Sequence, residues 1–548
     1  MSEDLAQAHV LVADDAPTVR QSIRMTLAQS GINRADAASS IGETRRRLRN
    51  GEYDVVLCDY HFGEGMNGQE LLEELRHSGE LPLYTIWIMI TAEASYEKVV
   101  AVAEIGPDDY LIKPFTSKQL TQRLSLAWSR KRFLKPIYDK INEGDTLGAI
   151  DVAKSLVPKA AGFSNDLMRI LSSLLLEAGK LDEAARLYEE ILSQRVVPWA
   201  KLGLARTLCR QGKKTQAESS LQAAIVEHAQ YVDAYEELAS MYMAEGRLNE
   251  AMAVFEKCLA MTPNNVGRLQ KAGNLANMLG DSSKAKQFLE RAVTCGGNSS
   301  LLSGETVLQL ALAARRENNS SDADKYLRMV REIAKREDTT SNRIIDLMAS
   351  AVYEGKPQLL EQIETYMADP EFVLEIAVSF IMTADIVCPA TIEGEQATGS
   401  AAPYKWLLHI AQRFITTKHI SGMLESSANM RPTWQAFIQH AGTEITELNN
   451  EGVQLMLKAQ FEDAIAKLLP VAQNTCNQRL MLSSTHAIIK YLKSPAQVEP
   501  KERNALLNQA YQFINRLEGM IDAGTFHSLN QDIQGLIGQS SGLSSASH

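Results

Sequence analysis

The chain has 548 residues, 45% of them hydrophobic, and a net charge of −11. That length exceeds one ordinary core and predicts two to four domains, and the apolar content excludes a disordered chain. The acid excess argues against nucleic acid as the main partner, and six scattered cysteines without a CxxC pair exclude a zinc knuckle or a redox motif. The polar start MSEDLAQAH has no secretory-signal character. The apolar run Leu81–Ile90 is too short to span a bilayer, so a cytoplasmic protein without a membrane span is expected.

From His9 to about Trp128 short apolar runs alternate with amphipathic stretches. HVLVA (9–13) reads as a strand and PTVRQSIRMTLAQSG (17–31) as a helix. RADAA (34–38) reads as a weak edge strand, and Ser40 with Glu43 forms a capping box ahead of a helix that stops near Gly51. DVVLC (54–58), YTIWIMI (84–90) and DYLI (109–112) are strands. GQELLEELRHSG (68–79), SYEKVVAVAEIG (95–106) and SKQLTQRLSLAW (117–128) are helices. Five strands alternating with five helices predict an α/β doubly wound, five-stranded parallel sheet. Two basic clusters, RRRLR (45–49) and SRKRFLK (129–135), read as a solvated helix face and as cations suited to a helix C-terminus.

In such a sheet ligands sit beyond the carboxyl ends of the strands. The first strand ends at Asp14 and Asp15, the third at Asp59, the fourth at Thr91 and the fifth at Lys113. Two adjacent acids repel unless something positive lies between them. Three acids on one rim suit a hard cation with oxygen ligands, Mg²⁺ being the usual one. A carboxylate beside such a cation and facing a lysine is poised to attack a phosphoryl group.

The acid pair, Asp59 after VVLC, TAEA (91–94) and Lys113-Pro114-Phe115 together resemble a response-regulator receiver domain of the chemotaxis type. The resemblance implies that Asp59 is the phospho-acceptor. It implies that Asp14 and Asp15 hold Mg²⁺ with the backbone carbonyl of His61, and that Thr91 and Lys113 contact the phosphoryl group. It also implies an aromatic switch at Tyr110, tuning of phosphate lifetime by His61 and Glu93, and a cis Lys113–Pro114 bond. The donor would be a sensor histidine kinase or a phosphotransfer protein. The loop after the acceptor departs from the family pattern: DYHFGEGMNG has no proline and one extra residue before Gly68.

Beyond Pro136 strand signals vanish. Gly144, Gly179, Gly212, Gly246 and Gly280 recur 35, 33, 34 and 34 residues apart, each followed five positions later by alanine. A period near 34, with glycine in a turn and alanine at a close helix crossing, resembles tetratricopeptide repeats. In Val232–Asn265, Tyr235, Leu238, Ala239 and Tyr242 share one helix face. Ala251, Phe255 and Cys258 share another, and Pro263 stops the second helix. Asn318 takes the glycine position of a further unit, and Gly452 with Ala464 marks another. The expected organisation is a receiver at 1–130, a linker at 131–140, and an all-α helical-repeat solenoid at 141–335. A helical region of unclear type at 336–440, a helical region with a repeat-like unit at 441–538 and a disordered tail at 539–548 follow.

Stacked repeats bury one another's apolar faces and offer a surface for protein partners, the bland alternative being a spacer. No HExxH, GxxxxGK[ST] or cyclase motif is present, and no helix-turn-helix module follows the receiver. The expected function is a non-enzymatic, phosphorylation-dependent response regulator acting through protein binding. A DNA-binding transcription regulator, or an enzyme with a divergent site in 340–548, are the alternatives.

Overall fold

A computed structural model describes residues 3–62, 66–92, 105–160, 162–194, 197–297, 299–388, 402–428, 430–494, 499–518, 520–521 and 523–544. The chain forms two compact units, Met1–Ala272 with Glu290–Leu302, and Gly273–Leu289 with Ser303–His548.

The first unit opens with a parallel sheet of β1 (His9–Ala13), β2 (Arg34–Ala38), β3 (Val55–Asp59), β4 (Ile86–Thr91) and β5 (Asp109–Ile112) in the order β2-β1-β3-β4-β5. β3 and β4 are buried at every residue, as expected of central parallel strands covered on both faces. Helices α1 (Pro17–Gln29), α2 (Ile41–Asn50), α3 (Gly68–His77) and α4 (Ser117–Asn142) connect or follow them. The expected helix at 95–106 and Glu93 lie outside the described residues, apart from the last two positions of that stretch. Val10, Val12, Leu57, Ile88, Ile23, Leu120 and Leu124 meet in one core.

Four readings of this region need correction. The expected linker at 131–140 is the second half of α4, which runs unbroken through Pro136. Its first half buries Leu120, Leu124 and Ala127 in the sheet's core, and its second half buries Leu134, Ile137 and Tyr138 in the core of the first repeats. Two apolar cores hold one helix, and that outweighs a hydrogen bond missing at proline. Consequently the cations at 129–135 do not sit at a helix end: Arg130 and Lys131 each lie 3.1 Å from Asp108, and Arg130 also reaches Asp166 at 3.5 Å. Nor is 45–49 a uniformly solvated face, because Arg45 is buried against Glu74 at 2.9 Å. The capping box at Ser40 is half formed. Its hydroxyl accepts from Glu43 N–H, while the Glu43 carboxylate turns to Ser39.

The rest of the unit is helix pairs. All five repeat glycines, the last of them (Gly280) in the second unit, adopt left-handed φ of 70–77°, the turn conformation that glycine enters without steric cost. Each following alanine (149, 184, 217, 251, 285) is buried where two helices cross. In the unit 232–265, Ala239, Ala251, Phe255 and Cys258 have no exposed surface, and the helix Leu248–Met261 ends just before Pro263.

The second unit is helical throughout its described residues. Asn318 occupies the turn with φ 59°, as its glycine-like position implies. At 447–472 the left-handed turn residue is Ala459, also at φ 59°, and Gly452 serves a different end: a Cβ there would lie 2.5 Å from Leu468. The region 340–440 consists of the helices Thr340–Glu354, Gln358–Glu361, Leu374–Val387, Ala402–Phe414, Lys418–Ser427 and the start of Pro432–Leu457, with a 3₁₀ segment at Gln362–Tyr366. The expected surface loop at 388–403 falls almost wholly outside the described residues. Of the tail expected to be disordered at 539–548, residues 539–544 belong to the last helix, and the remainder lies outside the described residues. Adding residues to an existing helix is cheap once it is nucleated, even for serine and glycine. Among the described residues no helix is long and apolar enough to cross a membrane.

Candidate functional site

The rim is assembled by backbone pairing between strands. Asp59 ends β3 in register with Ile90, and Thr91 ends β4 in register with Ile112. Past the strands, Asp14 N–H donates to Ala38 O, Tyr60 N–H to Ile90 O and Lys113 N–H to Thr91 O. These bonds extend the sheet by one residue and bring the acid pair, the acceptor candidate and the lysine onto one edge.

Asp14, Asp15 and Asp59 each place a carboxylate oxygen within 4.8 Å of the others, and this is the one such cluster among the described residues. Asp14 and Asp59 are buried, whereas Asp15 is exposed. The Lys113 ammonium bridges the two buried acids, 2.8 Å from Asp14 Oδ2 and 3.0 Å from Asp59 Oδ2. It is the positive charge that lets the chain end two neighbouring buried strands on carboxylates. Asp14 also accepts from Ala16 N–H at 2.9 Å.

Burial raises the Asp59 carboxyl, and the Lys113 ammonium offsets this only in part; Asp14 and Asp15 add repulsion in the same direction as burial. Burial lowers the Lys113 ammonium, but hydrogen bonds and attraction from Asp14 and Asp59 outweigh it and hold its pKa above the ordinary lysine value. The edge thus stores acid repulsion that a divalent cation would relieve. A hard oxygen-seeking ion fits this donor set, which contains no sulfur or imidazole ligand.

Thr91 is buried beside this edge, and Tyr110 is half-buried on β5 with the Arg123 guanidinium 5.9 Å from its ring centre. The Lys113–Pro114 bond is cis. His61 is exposed just past the acceptor, its ring edge-on to Tyr60 at 4.6 Å. Gly68 closes the loop: its N–H donates to Tyr60 O at 2.8 Å, and a Cβ there would lie 2.2 Å from the Asp59 carbonyl oxygen. So α3 starts directly against the acceptor strand.

Some contributors were missed in the sequence. The capping boxes Asn67–Glu70 and Thr116–Gln119 carry the visible N-x-x-E and T-x-x-Q signature. Arg20, whose guanidinium donates to the Asp14 carbonyl at 2.5 Å, has no signal of its own.

Sheet, rim and helix pairs define a receiver domain carrying helical repeats. A family model described as response regulator receiver domain matches residues 10–125, and one described as tetratricopeptide repeat matches 202–266. The chain is 32% identical over 121 residues to chemotaxis protein CheY-3 of Vibrio cholerae serotype O1, covering 22% of this chain and 92% of that one. It is 28% identical to chemotaxis protein CheY of Pseudomonas aeruginosa, over 22% and 96%. Among solved structures, a Francisella response-regulator receiver domain is 29% identical (TM-score 0.20; 23% of this chain, 98% of that one). The C-terminal part of a tetratricopeptide-repeat protein from Cytophaga hutchinsonii is 15% identical (TM-score 0.32; 48% and 99%). The chain belongs to the response-regulator family, and its repeats are of a type that mediates protein–protein interaction.

Proposed function

We propose that the chain receives a phosphoryl group on Asp59 from a sensor histidine kinase or phosphotransfer protein and passes the signal on through a protein bound by its repeats. The observation that carries this reading is the Lys113 ammonium held between Asp14 and Asp59, in a cluster whose three carboxylates lie within 4.8 Å. Asp14, Asp15, Asp59 and the His61 carbonyl would hold Mg²⁺, which supplies charge neutralisation for the acids and the incoming group. A carboxylate oxygen of Asp59 forms the bond to phosphorus, the P–N bond of a phosphohistidine breaks, and the departing imidazole takes up a proton. Lys113 and Thr91 then hold the phosphoryl oxygens.

The acyl phosphate carries roughly −2 where the Asp59 carboxylate carried −1, so about one negative charge is added beside Asp14 and Asp15. Lys113 gains a stronger partner, and Thr91 and Tyr110 adjust, next to the helix α4 that enters the repeats. Such coupling is typically about 1–3 kcal/mol, or roughly 5- to 150-fold in partner affinity. The test is labelling of the full chain by acetyl phosphate with Mg²⁺. Asp59→Asn should abolish it, because an amide is a poor nucleophile, and undiminished labelling would place the acceptor elsewhere.

A further inference from the structure

Helix α3 has an unexpected environment. Its sequence, GQELLEELRH, is amphipathic, with leucines for the sheet and glutamates for solvent. Yet every residue from Gly68 to Leu75 is buried, including Glu70, Glu73 and Glu74. Arg45 accounts for Glu74. The other two are held by residues nearly two hundred positions away, at the start of the helix Val266–Met278. Asn264 N–H donates to Glu70 Oε1 at 3.0 Å. The Asn265 amide donates to Glu73 Oε2 at 3.1 Å, and Arg268 donates to the same oxygen at 2.9 Å.

These donors are built into the repeat itself. Asn265 caps the helix, its side-chain oxygen accepting from Arg268 N–H at 3.0 Å. Arg268 is 3% exposed and is fixed by Glu236 at 2.9 Å, Thr262 at 3.2 Å and Asp233 at 3.6 Å. Lys271 shares Glu236 at 2.5 Å. Lifting α3 away would therefore leave Arg268 paired with Asp233 and Glu236, and would return Glu70 and Glu73 to water. Neither side is left with an orphaned buried charge, the usual large cost of breaking such a contact. In the docked state Glu70 and Glu73 crowd against Asp233 and Glu236 around Arg268 and Lys271, and that acid repulsion offsets part of the attraction holding α3 in place.

We propose that Asn264, Asn265 and Arg268 form the docking site for the repeat domain's protein partner, that this site recognises an acidic helix with two glutamates three residues apart, and that α3 occupies it as an internal competitor. This rests on the reading of the repeats as a protein-binding surface. The competitor starts at Gly68, against the Asp59 carbonyl, so the acceptor strand and the docking site share one helix.

The probe is a fluorescein-labelled peptide of residues 66–79, titrated without any phosphoryl donor into the full chain. The Glu70→Lys/Glu73→Lys chain, its site vacated, should bind at least tenfold tighter than wild type. Adding Arg268→Ala should remove that binding, and a peptide with both glutamates changed to lysine should not bind. Equal binding to wild type and the vacated chain, or binding indifferent to Arg268→Ala, would overturn the proposal. Should the double-lysine chain not fold, Glu73→Gln takes its place with hydrogen exchange as readout. Amides of 68–77 exchanging at least fivefold faster than in wild type support the contact, and unchanged exchange overturns it. A captured protein partner that the peptide does not displace would overturn this site and leave the adaptor reading standing. Peptide binding in a chain that acetyl phosphate fails to label would do the reverse.

Discussion

Gly68→Ala is the sharpest test of how the acceptor strand is joined to α3. The added Cβ would sit 2.2 Å from the Asp59 carbonyl oxygen, 3.0 Å from Met89 Sδ and 3.1 Å from Cys58 Sγ. The two sulfurs can give by a few tenths of an ångström, but a carbonyl inside a buried parallel strand cannot. Helix α3 must therefore back away, which strains the core by about 1–3 kcal/mol and weakens the Gly68–Tyr60 hydrogen bond, worth about 1 kcal/mol. A total of roughly 2–4 kcal/mol, at a urea slope of about 2 kcal/mol per molar, lowers the unfolding midpoint by about 1–2 M. Gly79→Ala is the control. That glycine has φ 71° with open space around it, so alanine there costs only the left-handed strain of about 1 kcal/mol. Urea unfolding followed by circular dichroism compares the two, and acetyl phosphate labelling reports on Asp59. Equal midpoints for the two variants would refute the close-approach argument.

Asp15→Ala should weaken Mg²⁺ binding at least about tenfold in a titration, because it removes the exposed oxygen ligand from the cluster; unchanged affinity would reject the triad as the site. In the second unit, burial and then the Glu375 carboxylate push Glu305 up to about 8, against a partial opposing pull from the Gln309 amide. A carboxyl raised in the fold contributes stability that is fully present below the unfolded value near 4.3 and is lost as pH rises through about 8. Wild type should therefore lose stability between pH 5 and pH 8, Glu305→Gln should lose less, and parallel pH profiles would refute the assignment. Ala459→Gly should stabilise by about 1 kcal/mol, the reverse of the usual sign within a helix, because φ at Ala459 is 59°; a lower melting temperature would contradict it.

What could be read in the sequence was governed by local period and local turn chemistry. β1, β2 and β5 fall on the expected residues, and β3 and β4 end one residue later, at Asp59 and Thr91. The repeat turns were legible because glycine five residues before alanine is a steric requirement at both positions, and the same logic found Asn318. It failed to place Ala459, where an ordinary L-residue accepts the strained conformation. The convergence of Asp14, Asp15, Asp59, Thr91 and Lys113 was legible because parallel strands must all end on one side of the sheet.

The missed features are long-range and polar. Arg45 pairs with Glu74 across 29 positions, and Arg268 with Glu73 across 195. A glutamate left in water and one seated on a buried arginine carry the same helical pattern, since amphipathic spacing records which residues avoid the core and not what covers the rest. The linker expected at 131–140 hid the cause, because a flexible joint there would give α3 no fixed neighbour among the repeats. Because α4 instead keeps one set of side chains in each core, the repeats are held where Asn264, Asn265 and Arg268 can reach α3. Burial of the acidic helix follows from the continuity of α4. A change that makes α4 flexible at 131–136 should therefore loosen the Glu73–Arg268 contact without altering either partner.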